Sequence, residues 1–333
     1  MSLAVVFPGQ GSQSVGMLAA LAADHAVVRQ TFDEASAVLG YDLWALVQTG
    51  PEEQLNSTER TQPAMLAAGV ATWRAWRAAG APDPSVLAGH SLGEFTALVC
   101  AEALDFSDAV AAVQFRGRVM QEAVPAGQGA MAAILGLEDA DVEAACAEAA
   151  AGEVVEAVNY NSPGQLVIAG HAGAVGRAVE AAKARGAKRA LVLPVSVPAH
   201  SSLLRGAGER LRERLADIPV SVPRWPVYAV GLGRHDSAAA VRDQVVAQLS
   251  SPVRWTDTIR DMLAHGATRL VECGPGKVLT SLNRRIERNK DITMIAIEDP
   301  ASLAGIYTRR RTAPFILEAS PRGRPSLRSR MTP

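Results

Sequence analysis

The run Gly89–Gly93, which reads Gly-His-Ser-Leu-Gly, constrains the fold more than any other stretch of the chain. It follows a short apolar segment, residues 86–88, and precedes a segment with helical character, residues 94–104. In that setting a G-x-S-x-G element makes a sharp strand-to-helix turn, and its glycines let the serine hydroxyl project above a sheet. The free N–H groups at the helix start favour nearby negative charge. The pattern predicts an α/β fold with Ser91 as a candidate nucleophile.

The composition indicates a chain with a large core. Its 333 residues suffice for one large domain or a domain with a substantial insertion, and 48% of them are hydrophobic. The three cysteines are scattered without a C-x-x-C pair, which argues against a disulfide framework or a zinc site and favours a reducing compartment. No apolar run could span a bilayer, and the apolar residues 3–7 are too few for a signal peptide. We expect a cytoplasmic monomer with no membrane segment, no metal and no organic cofactor.

The net charge of −1 conceals a basic C-terminal segment. Residues 306–333 contain seven arginines against a single acid, Glu318, together with four prolines, and they show no helical or strand period. This composition is typical of a disordered basic extension. Its aromatic residues do not alternate with the arginines, so we expect no nucleic-acid partner.

Segments with strand and helix character alternate over the first 125 residues and again from 198 to about 305, which is typical of a parallel sheet covered on both faces. Between them, residues 126–197 follow the ferredoxin-like order β-α-β-β-α-β, whose last strand we expect over 189–197. The sequence thus predicts an α/β-hydrolase-like core with a parallel sheet, formed by residues 1–125 and 198–305. A ferredoxin-like subdomain of residues 126–197 interrupts this core, and the tail of residues 306–333 follows it.

A serine hydroxyl is a weak nucleophile and needs a base within hydrogen-bond reach, for which the chain offers six histidines. His90 adjoins the serine, so its side chain should point away from the hydroxyl. His200 follows an apolar strand-like run, and strand ends are where α/β folds build their sites, so His200 is the candidate base. Of the remaining histidines, His25 and His265 lie on or at the end of polar helix faces, where a surface position is expected. His171 and His235 lie in turn-like surroundings, and for these two both a surface position and a site position stay open.

Six motifs of the chain together carry a family resemblance. They are Phe7–Gln13, Gly89–Glu94, Arg116–Gln121, Val197–Ser201, Asn159–Gln165 and Gly274–Leu279. In these motifs the chain resembles the malonyl-CoA:acyl carrier protein transacylases, the discrete acyltransferases of bacterial type II fatty acid synthesis. The resemblance extends from residue 3 to about residue 305.

The resemblance implies transfer of a malonyl group from malonyl-CoA to acyl carrier protein, with coenzyme A as a substrate and not a cofactor. Ser91 would accept the malonyl group as an ester. His200 would deprotonate the serine and later protonate the departing thiolate. The backbone N–H groups of Gln10 and Leu92 would form an oxyanion hole, and Arg116 would hold the free carboxylate of the malonyl group.

The resemblance also implies how the histidine and the substrate are held. In this family a backbone carbonyl near Gln248, and not an aspartate, orients the histidine, so the catalytic group is a dyad. Gln248 and Asn161 are candidate substrate-binding residues, although Asn159 and Asn161 could equally stabilise a turn. A guanidinium binds a carboxylate through two parallel charge-assisted bonds, and an unpaired buried arginine is costly. Arg116 should therefore favour malonyl-CoA over acetyl-CoA.

The expected acceptor, acyl carrier protein, is acidic and needs a basic docking face. The run Asn283–Lys290, with Lys188 and Arg189, is the candidate for that face. A solvated surface without a partner is the alternative for such a run of charges.

Two stretches depart from the family pattern. After Pro226-Val227-Tyr228 the family usually continues with an Asn-Val-Asp-like segment, where this chain has Ala-Val-Gly-Leu-Gly-Arg at 229–234. The family also normally ends in a short helix soon after residues 298–300, where this chain enters its basic tail.

Alternative functions remain open at this point. A serine thioesterase or hydrolase shares the G-x-S-x-G turn, but it would use an acidic residue to orient the histidine and has no use for Arg116. A trans-acting acyltransferase of polyketide synthesis is a related variant that the sequence does not exclude. A binding module that has lost its chemistry is a further alternative, against which the intact Ser91 and His200 argue.

Overall fold

Two sheets organise the computed structural model, which describes residues 2–195, 197–231 and 233–308. The larger sheet is parallel, and its five strands in spatial order are β7 (Val227–Tyr228), β2 (Val86–Gly89), β1 (Ser2–Phe7), β8 (Ala267–Cys273) and β9 (Thr293–Ile297). Val5 pairs with Leu87 on one side and with Val271 on the other. The central strands are apolar and buried on both faces, as expected for a parallel sheet covered by helices.

Helices cover both faces of the parallel sheet. One face packs against a large cluster built mostly from helices of the first 122 residues, and the other packs around Trp255 and Ile259. In chain order the helices are α1 (Ala19–Asp24), α2 (Ala26–Leu39), α3 (Leu43–Thr49), α4 (Glu52–Leu55), α5 (Thr58–Ala78), α6 (Gly93–Cys100), α7 (Phe106–Glu122), α8 (Asp139–Ala149), α9 (Ala172–Ala184), α10 (Arg205–Leu215), α11 (Ala238–Ala247), α12 (Trp255–Ala264), α13 (Val278–Ile286) and α14 (Pro300–Thr308). Short 3-10 helices lie at Ser202–Leu204 and Gln248–Ser250.

The smaller sheet is antiparallel, and its strands in spatial order are β4 (Val155–Ser162), β5 (Gln165–His171), β3 (Gly129–Leu135) and β6 (Arg189–Val192). With α8 and α9 these strands follow the chain order β-α-β-β-α-β and enclose an apolar cluster of their own. The predicted fold class, a parallel α/β core with an inserted ferredoxin-like unit, is confirmed. The limits of the two subdomains stay predictions.

A short backbone ladder joins the two parts of the molecule. The Tyr160 N–H donates to the Val253 carbonyl at 2.9 Å, and the Val253 N–H donates to the Val158 carbonyl at 2.8 Å. Strand β4 is thereby fixed against the segment that follows the 3-10 helix Gln248–Ser250, so the smaller sheet stands next to the carboxyl ends of β1 and β2.

Three predicted limits are wrong, each for a local reason. Strand β6 ends at Val192 and not at 197, because the prolines at 194 and 198 cannot donate to a ladder. Helix α6 ends at Cys100 and not at 104, because Glu102 adopts a left-handed φ of 61°. Residues 306–308, assigned to the tail by the sequence, belong to α14, where Ile306 is buried.

The C-terminal region contains more regular structure than the sequence predicts. Helices α13 and α14 and strand β9 are absent from the sequence-based prediction, and α14 occupies the place of the short terminal helix that the family pattern has. The remainder of the expected disordered tail, residues 309–333, lies outside the described residues. Among the helices that the structure describes, none is long and apolar enough to cross a membrane.

Candidate active site

The predicted strand-to-helix turn forms at the end of β2. Ser91 has a left-handed φ of 50°, and α6 begins two residues later at Gly93. A Cβ at Gly93 would lie 2.1 Å from the carbonyl oxygen of Phe7, so only glycine lets the turn pack against the end of β1. The His90 N–H donates to the same carbonyl at 3.0 Å. These contacts fix the serine at the carboxyl edge of the parallel sheet.

Ser91 and His200 form a hydrogen-bonded pair. Ser91 Oγ lies 2.7 Å from His200 Nε2, and His200 Nδ1 lies 2.7 Å from the backbone carbonyl oxygen of Gln248. Because a carbonyl oxygen only accepts, Nδ1 carries the proton, and Nε2 is free to accept from the serine hydroxyl. No carboxylate hydrogen-bonds to this imidazole among the described residues. The arrangement can therefore activate the serine without an acidic third member.

The segment that presents His200 is held by the smaller sheet. His200 has a left-handed φ of 66°, so its backbone conformation depends on what surrounds it. Two positions on, Ser202 donates to the carboxylate of Glu156 through its N–H at 2.7 Å and through its hydroxyl at 2.8 Å. Glu156 lies on β4, which means that the smaller sheet positions the candidate base.

His200 is neutral at neutral pH. Burial lowers the pKa of His200 to about 3, and the positive charge of Arg116 acts in the same direction. The hydrogen bond to the Gln248 carbonyl acts against them and is outweighed. Since only a neutral imidazole can accept a proton at Nε2, His200 has the protonation state of a base.

Arg116 extends from α7 into the same pocket and is 1% exposed. Its Nη1 donates to Gln62 Oε1 at 2.7 Å, and its Nη2 donates to Gln248 Oε1 at 2.8 Å. The same Nη2 lies 3.4 Å from Ser91 Oγ, while Nε has no hydrogen-bond partner among the described residues. Burial lowers the pKa of Arg116 to about 10, which still leaves the guanidinium charged at neutral pH. A buried positive charge held by neutral amides therefore faces the candidate nucleophile.

A buried carboxylate lies behind Gln248. Glu94 Oε2 accepts from Gln248 Nε2 at 3.0 Å and from the Val230 N–H at 3.1 Å, and Glu94 Oε1 is 2.6 Å from His235 Nε2. The side chains of Glu94 and His235 are both fully buried. A continuous hydrogen-bonded chain thus runs from His235 through Glu94 and Gln248 to Arg116.

The N–H groups of Gln10 and Leu92 lie on the two segments that meet at the turn. The loop carrying Gln10 packs directly on the turn, since a Cβ at Gly9 would lie 2.5 Å from the His90 carbonyl oxygen. Leu92 immediately precedes α6, where the helix dipole favours negative charge. Neither N–H donates a hydrogen bond within the described part of the chain. Free, preorganised N–H groups are what an oxyanion hole requires, and this role stays a prediction.

Asn161 connects the smaller sheet to the turn. Its Oδ1 lies 2.8 Å from His90 Nε2, and the His90 ring packs edge-on against Trp255 with centroids 5.6 Å apart. These contacts direct the His90 side chain away from the serine hydroxyl. They also occupy the side-chain oxygen of Asn161. The role of Asn161 as a substrate-binding residue stays a prediction. The nearby Asn159 Oδ1 is buried and has no partner among the described residues.

Only part of the basic run Asn283–Lys290 lies at the surface. Asn283 is 1% exposed and accepts from Trp255 Nε1 at 3.0 Å, so the expectation that it belongs to a docking face is wrong. A groove of about 620 Å³ beside the smaller sheet is lined by three of the predicted basic side chains, Lys188, Arg189 and Arg285.

The structure brings together the predicted residues Ser91, His200, Leu92, Arg116 and Gln248. It adds three residues that sequence reasoning missed or left open: Gln62, Glu94 and His235. Glu94 had a usable signal, because it is the one charged residue of a helix that is otherwise apolar enough to be buried. Gln62 and His235 had none, because their partners lie far away along the chain.

The remaining histidines take part in local structure. His171 Nδ1 accepts from the Val154 N–H at 2.9 Å, and His265 Nδ1 lies 2.8 Å from the Asp261 carbonyl oxygen. Across residues 2–308, excluding the two positions that are not described, no group of three or more His, Cys, Asp or Glu side chains could hold a metal ion.

The geometry of a serine–histidine pair beside a buried arginine agrees with what known proteins show. A family model described as "Acyl transferase domain" matches residues 4–319. The chain therefore belongs to the acyl transferase family.

The names of its relatives within that family are more specific. The chain is 55% identical over 302 residues to the malonyl CoA-acyl carrier protein transacylase of Escherichia coli K12, covering 90% of this chain and 97% of that protein. It is 41% identical over 303 residues to the protein of the same name from Bacillus subtilis, covering 90% and 95%. The resemblance inferred from the six motifs is thus confirmed.

Solved structures give the same result. An acyl carrier protein S-malonyltransferase from Vibrio cholerae superposes with a TM-score of 0.89 at 55% identity, covering 92% of this chain and all of that chain. A malonyl-transacylase in complex with a type II PKS acyl-carrier protein superposes with a TM-score of 0.90 at 52% identity, covering 93% of this chain and all of that chain.

Proposed function

We propose that the protein transfers the malonyl group of malonyl-CoA to the phosphopantetheine thiol of an acyl carrier protein, through a malonyl ester on Ser91. The observation that carries this proposal is the buried Arg116 guanidinium, whose Nη2 lies 3.4 Å from Ser91 Oγ. A positive charge at that distance suits an acyl group that ends in a carboxylate. The names of the relatives at 55% and 41% identity support the same activity.

The first half-reaction forms the acyl-enzyme. His200 Nε2 takes the proton of Ser91 while Oγ attacks the thioester carbonyl carbon, and the C=O electron pair moves to the oxygen. The N–H groups of Gln10 and Leu92 donate to this oxyanion. As the carbonyl re-forms, the C–S bond breaks, and His200 returns its proton to the coenzyme A thiolate.

The second half-reaction is the chemical reverse with a different thiol. The thiol of the carrier protein gives its proton to His200 and attacks the malonyl ester. The C–O bond to Ser91 then breaks, and the serine recovers its proton from His200. Coenzyme A enters and leaves as a substrate, and we propose no cofactor for either step.

The clamp for the malonyl carboxylate follows from the shape of the guanidinium. Nε and Nη2 share one edge of that group, and this edge combines an unpartnered donor with the donor that faces Ser91. A carboxylate can bind two such N–H groups in parallel. Acetyl-CoA would leave the guanidinium without a carboxylate partner, which costs roughly 3 to 5 kcal/mol, or a factor of about 10² to nearly 10⁴ in selectivity.

A thioesterase is the second candidate function, and two features disfavour it. The imidazole is oriented by the Gln248 carbonyl, and hydrolysis of uncharged acyl groups would make no use of Arg116. The relative solved with a type II PKS acyl-carrier protein supports transfer, and it leaves a polyketide pathway as the variant of this proposal. We place the protein in the cytoplasm as a monomer, in keeping with its three buried cysteines, which form no disulfide.

The groove lined by Lys188, Arg189 and Arg285 is the docking face that we propose for the acidic carrier. Arg285→Glu should raise the KM for carrier protein several-fold, in a salt-dependent way, while leaving the KM for malonyl-CoA unchanged. Arg29→Glu is the matched control, because Arg29 is an exposed arginine on α2 that pairs with Asp33. Equal effects of the two reversals would remove the groove from the docking face.

The transfer itself is tested with labelled malonyl-CoA and carrier protein. The label should pass to the carrier, and brief incubation without carrier should leave it on Ser91 as an ester. Ser91→Ala should abolish both signals. Normal transfer by Ser91→Ala would refute the assigned nucleophile, and release of free malonate faster than transfer would favour the thioesterase.

A further inference from the structure

The carboxylate of Glu94 is buried at the back of the pocket, and both of its oxygens hydrogen-bond to neighbouring groups. One oxygen accepts from the Gln248 side chain and the Val230 N–H, and the other contacts His235 Nε2. Glu94 is 0% exposed, and its carboxylate makes no hydrogen bond to Ser91 or His200. Burying a carboxylate is costly, so its position requires a structural or functional reason.

Glu94 determines which end of the Gln248 amide faces the guanidinium. An amide has a donor end and an acceptor end, and only the acceptor end can contact Arg116 favourably. Because Gln248 Nε2 donates to the Glu94 carboxylate at 3.0 Å, Oε1 is directed at Arg116 Nη2, 2.8 Å away. Reversing the amide would put its N–H₂ group against the guanidinium and its oxygen against the carboxylate.

Glu94 also offsets the positive charge of Arg116 without binding the guanidinium directly. Besides Ser91, the side chains that accept from Arg116 are the neutral amides of Gln62 and Gln248, and the carboxylate lies one side chain further back. A carboxylate in direct contact would compete with an acidic substrate for the guanidinium. With the glutamine interposed, the negative charge stabilises the buried cation, and Arg116 Nε keeps no partner among the described residues.

His235 holds Glu94 and directly follows the stretch 229–234 that departs from the family pattern. Its N–H donates to the Val227 carbonyl at 2.9 Å, which fixes the residue beside β7, and its Nε2 is 2.6 Å from Glu94 Oε1. Its side chain is fully buried, and its Nδ1 has no partner among the described residues. Within the described part of the chain, the histidine side chain thus hydrogen-bonds to Glu94 alone.

We propose that Glu94 and His235 are positioning residues that set the selectivity of this pocket for an acyl group ending in a carboxylate. They act through Gln248 on Arg116 and contact no reacting atom. This inference rests on the proposed function, since it assumes that Arg116 binds the substrate carboxylate.

The test compares malonyl-CoA with acetyl-CoA in three variants of the full chain. Glu94→Gln keeps the shape but removes the charge, and His235→Leu removes the donor. His235→Gln keeps a donor nitrogen three bonds from Cβ, as His Nε2 is. We expect Glu94→Gln and His235→Leu to raise the malonyl-CoA KM roughly ten-fold, with acetyl turnover unchanged, and His235→Gln to restore most of the malonyl affinity.

Glu272→Gln is the matched control for loss of a buried carboxylate. Glu272 is also 0% exposed, but its oxygens accept from the N–H groups of Leu279 and Thr280 at the start of α13. If Glu94 and His235 only stabilise the fold, their substitution should lower malonyl and acetyl turnover equally. The same loss should then appear in all three variants at positions 94 and 235 and in the Glu272→Gln control. That result, or an unchanged selectivity in Glu94→Gln and His235→Leu, would overturn the inference.

The Arg116→Met variant distinguishes failure of the positioning role of Glu94 and His235 from failure of the proposed Arg116 clamp. If Arg116→Met loses malonyl selectivity while Glu94→Gln and His235→Leu keep it, the positioning role is wrong and the clamp stands. If Arg116→Met itself keeps the selectivity, the proposed clamp is wrong, whatever the other variants do.

Discussion

Replacing Arg116 with methionine should move the pH at which the candidate dyad stops working. His200 has to be neutral to accept the serine proton, so the reactivity of Ser91 is lost as the pH falls through the pKa of His200. Burial and the Arg116 charge, in that order, lower this pKa to about 3. Removing the charge leaves the burial in place, so the pKa should rise but stay below its ordinary value.

The size of the rise follows from two distances to one atom. Ser91 Oγ is 3.4 Å from Arg116 Nη2 and 2.7 Å from His200 Nε2, so the two nitrogens are at most about 6 Å apart. At an effective dielectric constant of about 20, two unit charges at that distance repel by about 3 kcal/mol, which corresponds to a roughly hundred-fold change in the proton affinity of His200. We therefore expect the pKa of His200 to be clearly higher in Arg116→Met, while burial keeps it below its ordinary value.

An uncharged reagent measures this effect without involving the clamp. In the protein without substitutions, the second-order rate constant for sulfonylation of Ser91 by phenylmethanesulfonyl fluoride should stay constant from neutral pH down to about pH 4. In Arg116→Met the rate should fall at a clearly higher pH, because His200 is protonated more readily without the neighbouring positive charge. Arg116→Lys keeps the positive charge and is the matched control, with a profile close to that of the unmodified protein.

Superimposable profiles for the three proteins would refute the electrostatic argument. Circular dichroism at each pH must show a folded protein, because acid unfolding would imitate the expected fall. A midpoint that moved equally in Arg116→Lys and Arg116→Met would point to packing of the side chain and not to its charge.

Three further substitutions test separate parts of the site. Gly93→Ala places a methyl group against the end of β1 and should reduce the free energy of unfolding by roughly 3 kcal/mol or more in urea titrations; an unchanged midpoint would contradict the close packing of the turn. Glu156→Gln weakens the support of the segment that presents His200 and should lower kcat roughly ten-fold with little change in malonyl-CoA KM; a change in KM alone would contradict this. Gln248→Met keeps the backbone carbonyl, so it should raise malonyl-CoA KM while sulfonylation of Ser91 continues at its normal rate, and a loss of both would show that side chain and backbone are not separable.

The parts of the fold that the sequence predicts correctly are those dictated by local physics. The glycines at 89 and 93, with an apolar strand before them and a helix after them, define the turn within one short stretch. The alternation of strand and helix and the switch to β-α-β-β-α-β between 126 and 197 are equally local signals. The limits that fail, such as the end of β6, depend on how prolines and edge positions interrupt a pattern that still looks apolar.

The candidate site likewise contains residues that local sequence patterns identify and residues that they do not. Ser91 is recognisable from its neighbours, whereas the partners of Arg116 come from distant segments, with Gln62 54 residues away along the chain. His235 is 141 residues from the carboxylate that it contacts, and nothing in its own surroundings indicates a buried pair. Such contacts follow from the packing of α5, α6 and α7 on the parallel sheet, and single-sequence patterns carry no information about that packing.

The position of Arg116 makes sense only if the substrate brings a negative charge. With the pocket empty, the guanidinium lowers the pKa of His200 and so weakens the base that has to activate Ser91. A malonyl carboxylate bound at the Nε and Nη2 edge would neutralise that charge, and the pKa of His200 would rise toward the range of an effective base. Acetyl-CoA brings no such charge and would meet the weakened base. The selectivity of the pocket should therefore appear in the rate of acyl-enzyme formation at saturating substrate as well as in KM, and a malonyl preference confined to KM would contradict this coupling.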